Sequence, residues 1–492
     1  MKKKIGKAIL FLVCLSCALY LVNGVVKFEY VLGENTFQEF YEQEKNTVDV
    51  MFFGTSVMYF STSPAVLWDN YGIAAYDLGS PAQPLWTTYY YIQEALKYQK
   101  PKVLAVECLA LTDHHEYGDS MSQVKSISGM RYSKVKYDLI QNSVPKEDRM
   151  DMLLGFPNYH NRYTELEEKD FTKFPWNREE YFYKGAMEFE PGVEAFTWSG
   201  VSDSEETIEL APKVEEYYEK IIELAKQNDI ELIFYTLPYS FFSEGDVLYS
   251  NKAKEIATEQ GVPFLECYRE VEEIGIDFET DTVDGKHLNG YGAEKFSKYL
   301  GKYLKEHYEL EDRRGDADYA SWDKCSALWN HGLMDGQMQK IDYASAYLDI
   351  VAQMYQKQYT VIMNVKGEKA FLNLDADSRD AYTAMGISEE ALSTPGLIVA
   401  QDGNLVKYTM DQKYQLQLEL PGGEKAEIVK QDSDLSPKII YKEQNYNLDE
   451  EGITIFIYDN LLKEYVSSAY FSSNDEMRLN RIVLEEAVDT NW

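Results

Sequence analysis

Serine is a poor nucleophile until an imidazole takes its proton, and that imidazole needs a carboxylate to hold its tautomer and stabilise its cation. Two segments of this chain carry those three groups. In Val48-Asp-Val-Met-Phe-Phe-Gly54-Thr-Ser56 an apolar run fit for a buried strand ends at a glycine, and a serine follows where a parallel strand would turn into a helix. Far downstream, Asp284-Gly-Lys-His287-Leu-Asn-Gly-Tyr-Gly292 sets an acid and a histidine three residues apart, just ahead of a helix-like stretch. Either piece alone has an ordinary reading, Ser56 as a helix N-cap and His287 as a surface residue near a helix start. Their order is what points to acyl transfer: a serine after the first strand, and an acid with a histidine before the last helix of one repeating region.

These groups meet only if the intervening elements bring them together. Val48–Phe53 reads as a strand, Ile73–Leu78 as a short second one, Leu85–Tyr98 as a helix and Lys102–Val106 as a third strand. Val214, Tyr217, Tyr218, Ile221 and Leu224 recur at helical spacing, Ile230–Thr236 is a β-rich run closed by Pro238, and a helix runs from about Tyr291 to His307. This alternation over residues 47–308 predicts an α/β domain, a parallel sheet with helices on both faces. Residues 110–205 are less regular and read as a long insertion over the strand ends, where such folds place their sites. Residues 309–342, opening on a charged run with Arg313, Arg314 and Gly315, read as a linker. Beyond a helix near 342–356 the chain turns to strands: Tyr359–Val365, Leu397–Ala400, Asn404–Tyr408, Ile439–Tyr441, Ile453–Tyr458 and Glu464–Ser468. Asp402-Gly403 and Gly422-Gly423 supply turn chemistry between them, so 343–492 reads as a second, mostly-β domain.

Composition narrows the partners. A length of 492 residues exceeds one ordinary domain. A formal charge of -35 disfavours nucleic acid or an anionic membrane surface as a partner of the main body, while neutral glycans are easily accommodated. The 40 tyrosines suit both strand packing and sugar-binding surfaces. The N-terminus departs from the acidic trend: Lys2, Lys3, Lys4 and Lys7 precede an apolar stretch from Ala8 to Val26, so residues 1–27 read as a membrane anchor or an export signal. An uncleaved anchor, with the start in the cytoplasm and the rest outside, is the favoured form, because the run is not followed by a small-x-small cleavage site. Past it only Cys108, Cys267 and Cys325 remain, an odd number that cannot form a fully paired disulfide framework. Neither a metal-ligand spacing among the six histidines nor a glycine-rich phosphate loop is found, so no metal and no nucleotide cofactor are expected.

Over roughly residues 47–308 the chain resembles the SGNH (GDSL) hydrolase superfamily, and within it the membrane-anchored branch that includes the D-alanyl transfer protein of teichoic acid assembly and the alginate O-acetylation proteins. Gly54-Thr55-Ser56 is similar to the first block, Asp77-Leu78-Gly79-Ser80 to the second and Asp284 with His287 to the last. The resemblance implies a three-layer α/β/α fold, with Ser56 as nucleophile, His287 as general base and then acid, and Asp284 as its orienting carboxylate. The N–H groups of Ser56 and Gly79 would bind the oxyanion, worth roughly 3 kcal/mol per donor in related chemistry. Two departures stand out. Thr55 replaces the usual aspartate, and the Gly-x-Asn-Asp of the third block is missing from Val103-Leu-Ala-Val-Glu107-Cys-Leu-Ala-Leu111. Gln83 is a candidate third oxyanion donor or a cap for the next helix. Tyr159-His160-Asn161-Arg162 is similar to a segment of the same relatives, giving His160 and Arg162 either a substrate contact or a structural role.

In the C-terminal domain Tyr359-Thr-Val-Ile-Met-Asn-Val-Lys366, Gly396-Leu-Ile-Val-Ala-Gln-Asp-Gly403 and Gly452-Ile-Thr-Ile-Phe-Ile-Tyr-Asp-Asn460 resemble the interleukin-like (EMT inducer) domain, which implies a β-sandwich with sugar-binding examples. Two functions follow as expectations. One is an extracytoplasmic acyltransferase or esterase working on acyl groups of a cell-surface polysaccharide, with a membrane-bound O-acyltransferase partner implied by the resemblance. The other is a non-catalytic glycan-binding or assembly protein that has kept the fold and lost the chemistry.

Overall fold

In the computed structural model, strands β1 (Val50–Phe53), β2 (Ala75–Asp77), β3 (Val103–Glu107), β4 (Glu231–Thr236) and β5 (Phe264–Glu266) form one sheet in the order β2-β1-β3-β4-β5, every neighbouring pair parallel. The structure describes residues 2–26, 34–113, 115–118, 120–155, 163–164, 166, 168, 171, 183–339, 341, 344–354, 359–367, 376–384, 395–401, 404–409, 413–430, 438–447, 451–460, 462–472 and 479–481. The near-continuous apolar runs of β1, β3 and β4 are explained by burial on both faces. Met51, Phe53, Leu104, Val106, Leu232 and Phe234 enter one core layer, with Tyr91 and Ile92 of helix Leu85–Ala95 and Tyr218 and Ile221 of helix Pro212–Gln227. Their sequence neighbours Val50, Phe52, Val103, Ala105, Ile233 and Tyr235 enter the other, against Phe296, Leu300 and Leu304 of helix Gly290–His307.

This is the α/β architecture expected. β5 escaped the sequence reading because it is three residues long and only partly buried, too short for any period to show. Strand order reverses between β1, which reaches outward to β2, and β3, which starts the march to β5. The register aligns Phe53 with Val106 and Val106 with Phe234, so β1, β3 and β4 end nearly level. In open parallel sheets the crevice at such a reversal, beyond the carboxyl ends of the strands, is where ligands bind.

The chain divides into two compact units, Met1–Trp329 and Asn330–Trp492. The first part of the expected linker therefore belongs to the first unit. Arg313 makes a two-pronged ion pair with buried Asp49, both contacts 3.0 Å, and the Trp322 indole donates to Ala75 O at 2.9 Å. The division falls inside the helix Ala320–Gln339. Of the expected insertion, helices Ser120–Ser128, Lys134–Ser143 and Arg149–Leu154 are described, and Ile127, Leu139, Ile140 and Met152 join the first core layer.

In the second unit, strands β6 (Tyr359–Lys366), β7 (Gly396–Gln401), β8 (Asn404–Thr409), β13 (Gly452–Asp459), β14 (Glu464–Ser472) and β15 (Leu479–Arg481) form an antiparallel sheet ordered β15-β14-β13-β6-β7-β8. Strands β9 (Tyr414–Leu420), β10 (Glu424–Lys430), β11 (Lys438–Tyr441) and β12 (Gln444–Asn445) form a second sheet ordered β12-β11-β10-β9. Ile362, Leu397, Val399, Phe456 and Tyr458 pack with Ile428, Ile439 and Tyr441 between the sheets. Val361, Met363, Ile398, Ile453, Ile455 and Phe471 face the opposite way, toward Tyr347, Leu348 and Val351 of helix Ala344–Met354 and Tyr382 of helix Ala376–Ala384. A helical layer thus covers the outer face of the larger sheet, an addition to the plain sandwich expected.

At the N-terminus the helix Lys2–Val26 contains a 23-residue stretch, Lys4–Val26, with mean hydropathy 2.4, long and apolar enough to cross a bilayer of about 30 Å. Leu10, Phe11, Leu12 and Leu21 are exposed along it. All five cysteines are free thiols, with Cys108, Cys267 and Cys325 buried.

One buried acid near the end of β2 has a consequence for pH. Thr62 Oγ1 lies 2.8 Å from Met58 O and 2.6 Å from Asp77 Oδ2, and one hydroxyl hydrogen cannot serve both acceptors. The hydroxyl donates to an ionised Asp77, whereas a protonated Asp77 donates to Thr62 and frees the hydroxyl hydrogen for Met58 O. Burial pushes the Asp77 carboxyl well above the usual carboxylate range, the Thr62 bond only partly opposing it. Above the unfolded value of about 4, native Asp77 holds a proton that the unfolded chain releases, so stability falls as pH rises toward the folded value. Asp77→Asn keeps a donor to Thr62 and removes that slope. Measured from about pH 4 upward, Tm of the variant should gain on wild type as pH rises; parallel curves would refute a neutral Asp77.

Candidate active site

Ser56 opens the helix Ser56–Ser61 directly after β1. Thr55 is its N-cap, in extended backbone, with Oγ1 accepting from Val57 N at 3.3 Å. A strand that turns so sharply into a helix needs room at the corner, and Gly54 provides it. A Cβ there would sit 2.7 Å from Glu107 Cβ and 2.9 Å from Met58 Cβ. As the first helical residue, Ser56 has an N–H with no acceptor inside the helix.

His287 and Asp284 lie on a loop closed on itself at its base. Val283 N donates to His287 O at 3.0 Å, Asn289 N donates to Asp281 O at 2.9 Å, and Thr282 bridges Leu288. Asn289 then caps the helix Gly290–His307, Oδ1 accepting from Tyr291 N and Gly292 N while Nδ2 donates to Gly192 O and Thr280 O. From outside, Ser240 N and Oγ both donate to Gly285 O, and residues 187–196 run alongside through Glu194 N to Thr282 O and Gly290 N to Glu190 O.

The loop delivers His287 to Ser56. Nε2 lies 2.8 Å from Ser56 Oγ, and Nδ1 lies 2.8 Å from Asp284 Oδ2. Asp284 Oδ1 also accepts from the backbone N–H groups of Lys286 and His287, at 2.7 and 2.9 Å. Burial alone would raise this carboxyl, but the bonds from the His287 ring and from the two N–H groups outweigh it, holding Asp284 below the usual range. An ionised carboxylate only accepts, so Nδ1 carries the hydrogen and Nε2 is left to receive the Ser56 hydroxyl hydrogen. The Phe60 ring packs on the imidazole at 4.7 Å between centroids and limits its rotation.

Gly79 follows β2 on a turn pressed against this corner: a Cβ on it would stand 2.7 Å from Gly54 O and 2.6 Å from Met58 Cε. Ser56 and Gly79, the two expected backbone donors, therefore sit on adjoining turns. Gln83 is placed elsewhere. It is buried, accepting from Ser80 Oγ at 2.8 Å and donating to Thr88 Oγ1 at 2.9 Å. Its carboxamide ties the turn to the helix Leu85–Ala95, which corrects its assignment as an oxyanion donor. His160 and Arg162 lie outside the described residues.

Glu107 is the residue that the sequence reading passed over. It ends β3, is 2% exposed, and accepts from Thr55 N at 3.1 Å, from Thr55 Oγ1 at 3.0 Å and from Leu109 N. Burial raises its carboxyl, and the Thr55 and Leu109 donors offset part of that rise. The available signal was an acid closing an otherwise apolar strand. At the rim, Lys286 Nζ stands 5.6 Å from the centroid of the half-exposed Phe241 ring.

No family model matches this chain, and no curated protein matches it. Among solved structures, a Bacteroides fragilis NCTC 9343 protein provisionally assigned as an acylhydrolase is similar at 12% identity and a TM-score of 0.28, over 57% of this chain and 99% of that one.

If Asp284 sets the tautomer, Asp284→Asn should slow phosphonylation of Ser56 by a fluorophosphonate about 10³-fold or more. Because Asp284 is half exposed, Tm should barely move. Intact-mass kinetics on both proteins check this, and equal labelling rates would contradict the assigned hydrogen-bond direction.

Proposed function

We propose that this protein is a membrane-anchored serine acyltransferase or esterase of SGNH type, acting outside the cytoplasm on O-acyl groups, foremost O-acetyl groups, of a cell-surface polysaccharide. The observation that carries the reading is the unbroken line Asp284–His287–Ser56, each link 2.8 Å, at the reversal of strand order. Ser56 Oγ attacks the ester carbonyl while His287 Nε2 takes its proton and Asp284 stabilises the imidazolium. The oxyanion is received by the N–H groups of Ser56 and Gly79. Collapse breaks the ester bond, His287 returns the proton to the departing alkoxide, and the acyl group stays on Ser56. In the second half His287 deprotonates water or a sugar hydroxyl, which attacks the acyl-enzyme, and the proton returns to Ser56 as the product leaves. Which acceptor arrives decides between hydrolysis and transfer.

The remainder of the reading rests on resemblance and composition. An apolar helix whose first turns carry lysines suits an anchor with its start in the cytoplasm. The anchor would hold the enzyme beside a membrane-bound O-acyltransferase that supplies acyl groups, and the strongly acidic body suits a neutral glycan better than a polyanion. The C-terminal unit, with its resemblance to interleukin-like domains, would contribute glycan binding. A shell without chemistry has no need to keep Ser56 and His287 in hydrogen-bond contact, so their geometry weighs against a purely binding role.

The protein in detergent, given an activated acetyl ester, should release acetate and show an acetyl adduct on Ser56 by mass spectrometry. Ser56→Ala should lower turnover to the residual level of a triad variant, a loss of about 10⁴-fold or more. Equal turnover by wild type and Ser56→Ala would sink the proposal.

A further inference from the structure

Thr55 and Glu107 are both departures from the pattern of the resembling family, and the fold places them against each other. β1 and β3 are register-matched at Phe53 and Val106, so Gly54, the first residue past β1, comes beside Glu107, the last residue of β3. Glu107 Oε2 takes two donors from one residue, the peptide N–H and the hydroxyl of Thr55. Thr55 Oγ1 in turn accepts from Val57 N, which leaves its own hydrogen free for Glu107. Oε1 takes Leu109 N. Every named partner is a donor, the pattern of a carboxylate that only accepts. Thr55 and Glu107 are 4% and 2% exposed, so solvent does not compete for these bonds. An aspartate at position 55 would face the Glu107 carboxylate across a buried contact, whereas threonine offers it a hydroxyl.

We infer that Glu107 is a positioning residue for the Ser56 nucleophile, acting through Thr55: the acid is supplied by β3 instead of by position 55, and it fixes the residue on the N-terminal side of Ser56 at two points. The inference rests on Ser56 being the nucleophile. Gly54 is part of the same device, because a Cβ there would stand 2.9 Å from Glu107 Oε2 and block its approach to Thr55. A small shift of the Thr55 backbone moves Ser56 Oγ relative to His287 Nε2 and to the oxyanion donors together, and a displacement near 1 Å costs about 100-fold in rate.

The test uses the full-length protein in detergent, the activated acetyl ester, and Glu107→Gln, Thr55→Val, the double variant and Thr55→Ser, with Ser56→Ala as reference. Glu107→Gln should lower kcat by about 100-fold with KM unchanged. Thr55→Val, which removes the hydroxyl and keeps the shape, should lower kcat in the same way, and the double variant should lose less than the product of the two single losses because both remove the bond between Thr55 Oγ1 and Glu107 Oε2. Thr55→Ser, which retains the hydroxyl, should recover most of kcat. Thermal melts on each protein separate positioning from stability. Wild-type kcat in Glu107→Gln and Thr55→Val, with Ser56→Ala inactive, would overturn this inference and leave the nucleophile standing. So would a loss of kcat that only tracks loss of folded protein, or an effect confined to KM. Wild-type turnover in Ser56→Ala would overturn the nucleophile and this inference with it. Should Glu107→Gln not fold, Thr55→Val carries the same comparison.

Discussion

Three backbone segments converge at the carboxyl end of the sheet, and their closeness is the constraint on which the site depends. The turn after β1 touches the turn after β2 and the end of β3 through glycines: a Cβ on Gly79 would reach Gly54 O at 2.7 Å, and a Cβ on Gly54 would reach Glu107 Cβ at 2.7 Å. Neither contact leaves room for a side chain. Reversal of strand order between β1 and β3 opens the crevice, and these close approaches set the nucleophile corner at its edge. Everything else on that side meets a position already defined by backbone.

The acids around this corner show how one chemical group serves different ends through its partners. Asp284 is partly exposed and surrounded by donors, so it stays ionised and aligns the imidazole. Glu107 is enclosed but receives donors from Thr55 and Leu109. Asp77, buried with Thr62 as a polar contact and with no hydrogen-bond partner for Oδ1 among the described residues, is pushed toward the neutral form. Net charge says nothing about these differences; the number and direction of local donors decide them.

Much of the fold was legible because burial on both faces leaves a mark on composition. β1, β3 and β4 are apolar almost throughout, and the helices Pro212–Gln227 and Gly290–His307 carry apolar residues at helical spacing. β9 and β10 were left out of the expected strands, although Tyr414–Leu420 alternates apolar and polar residues as a one-sided strand does and the glycines at positive φ between them, Gly422 and Gly423, read as a turn. The role of residues 309–329 was hidden for a different reason. A charged run looks like a solvated connection, yet Arg313 reaches buried Asp49 and Trp322 reaches the backbone of β2, contacts across the chain that leave no local pattern.

The sequence by itself determined which groups were available: Ser56 after an apolar strand, Asp284 and His287 ahead of a helix, glycines at 54 and 79, and the periodicities that make a parallel sheet. Those features are local, and local physics writes them into residue order. Only the tertiary structure decided which of them meet. It set His287 Nε2 2.8 Å from Ser56 Oγ across a separation of 231 residues, turned Gln83 inward to Ser80 and Thr88, and brought Glu107 to Thr55. Such pairings follow from strand order and register, quantities set by the packing of the whole sheet and carried by no single segment.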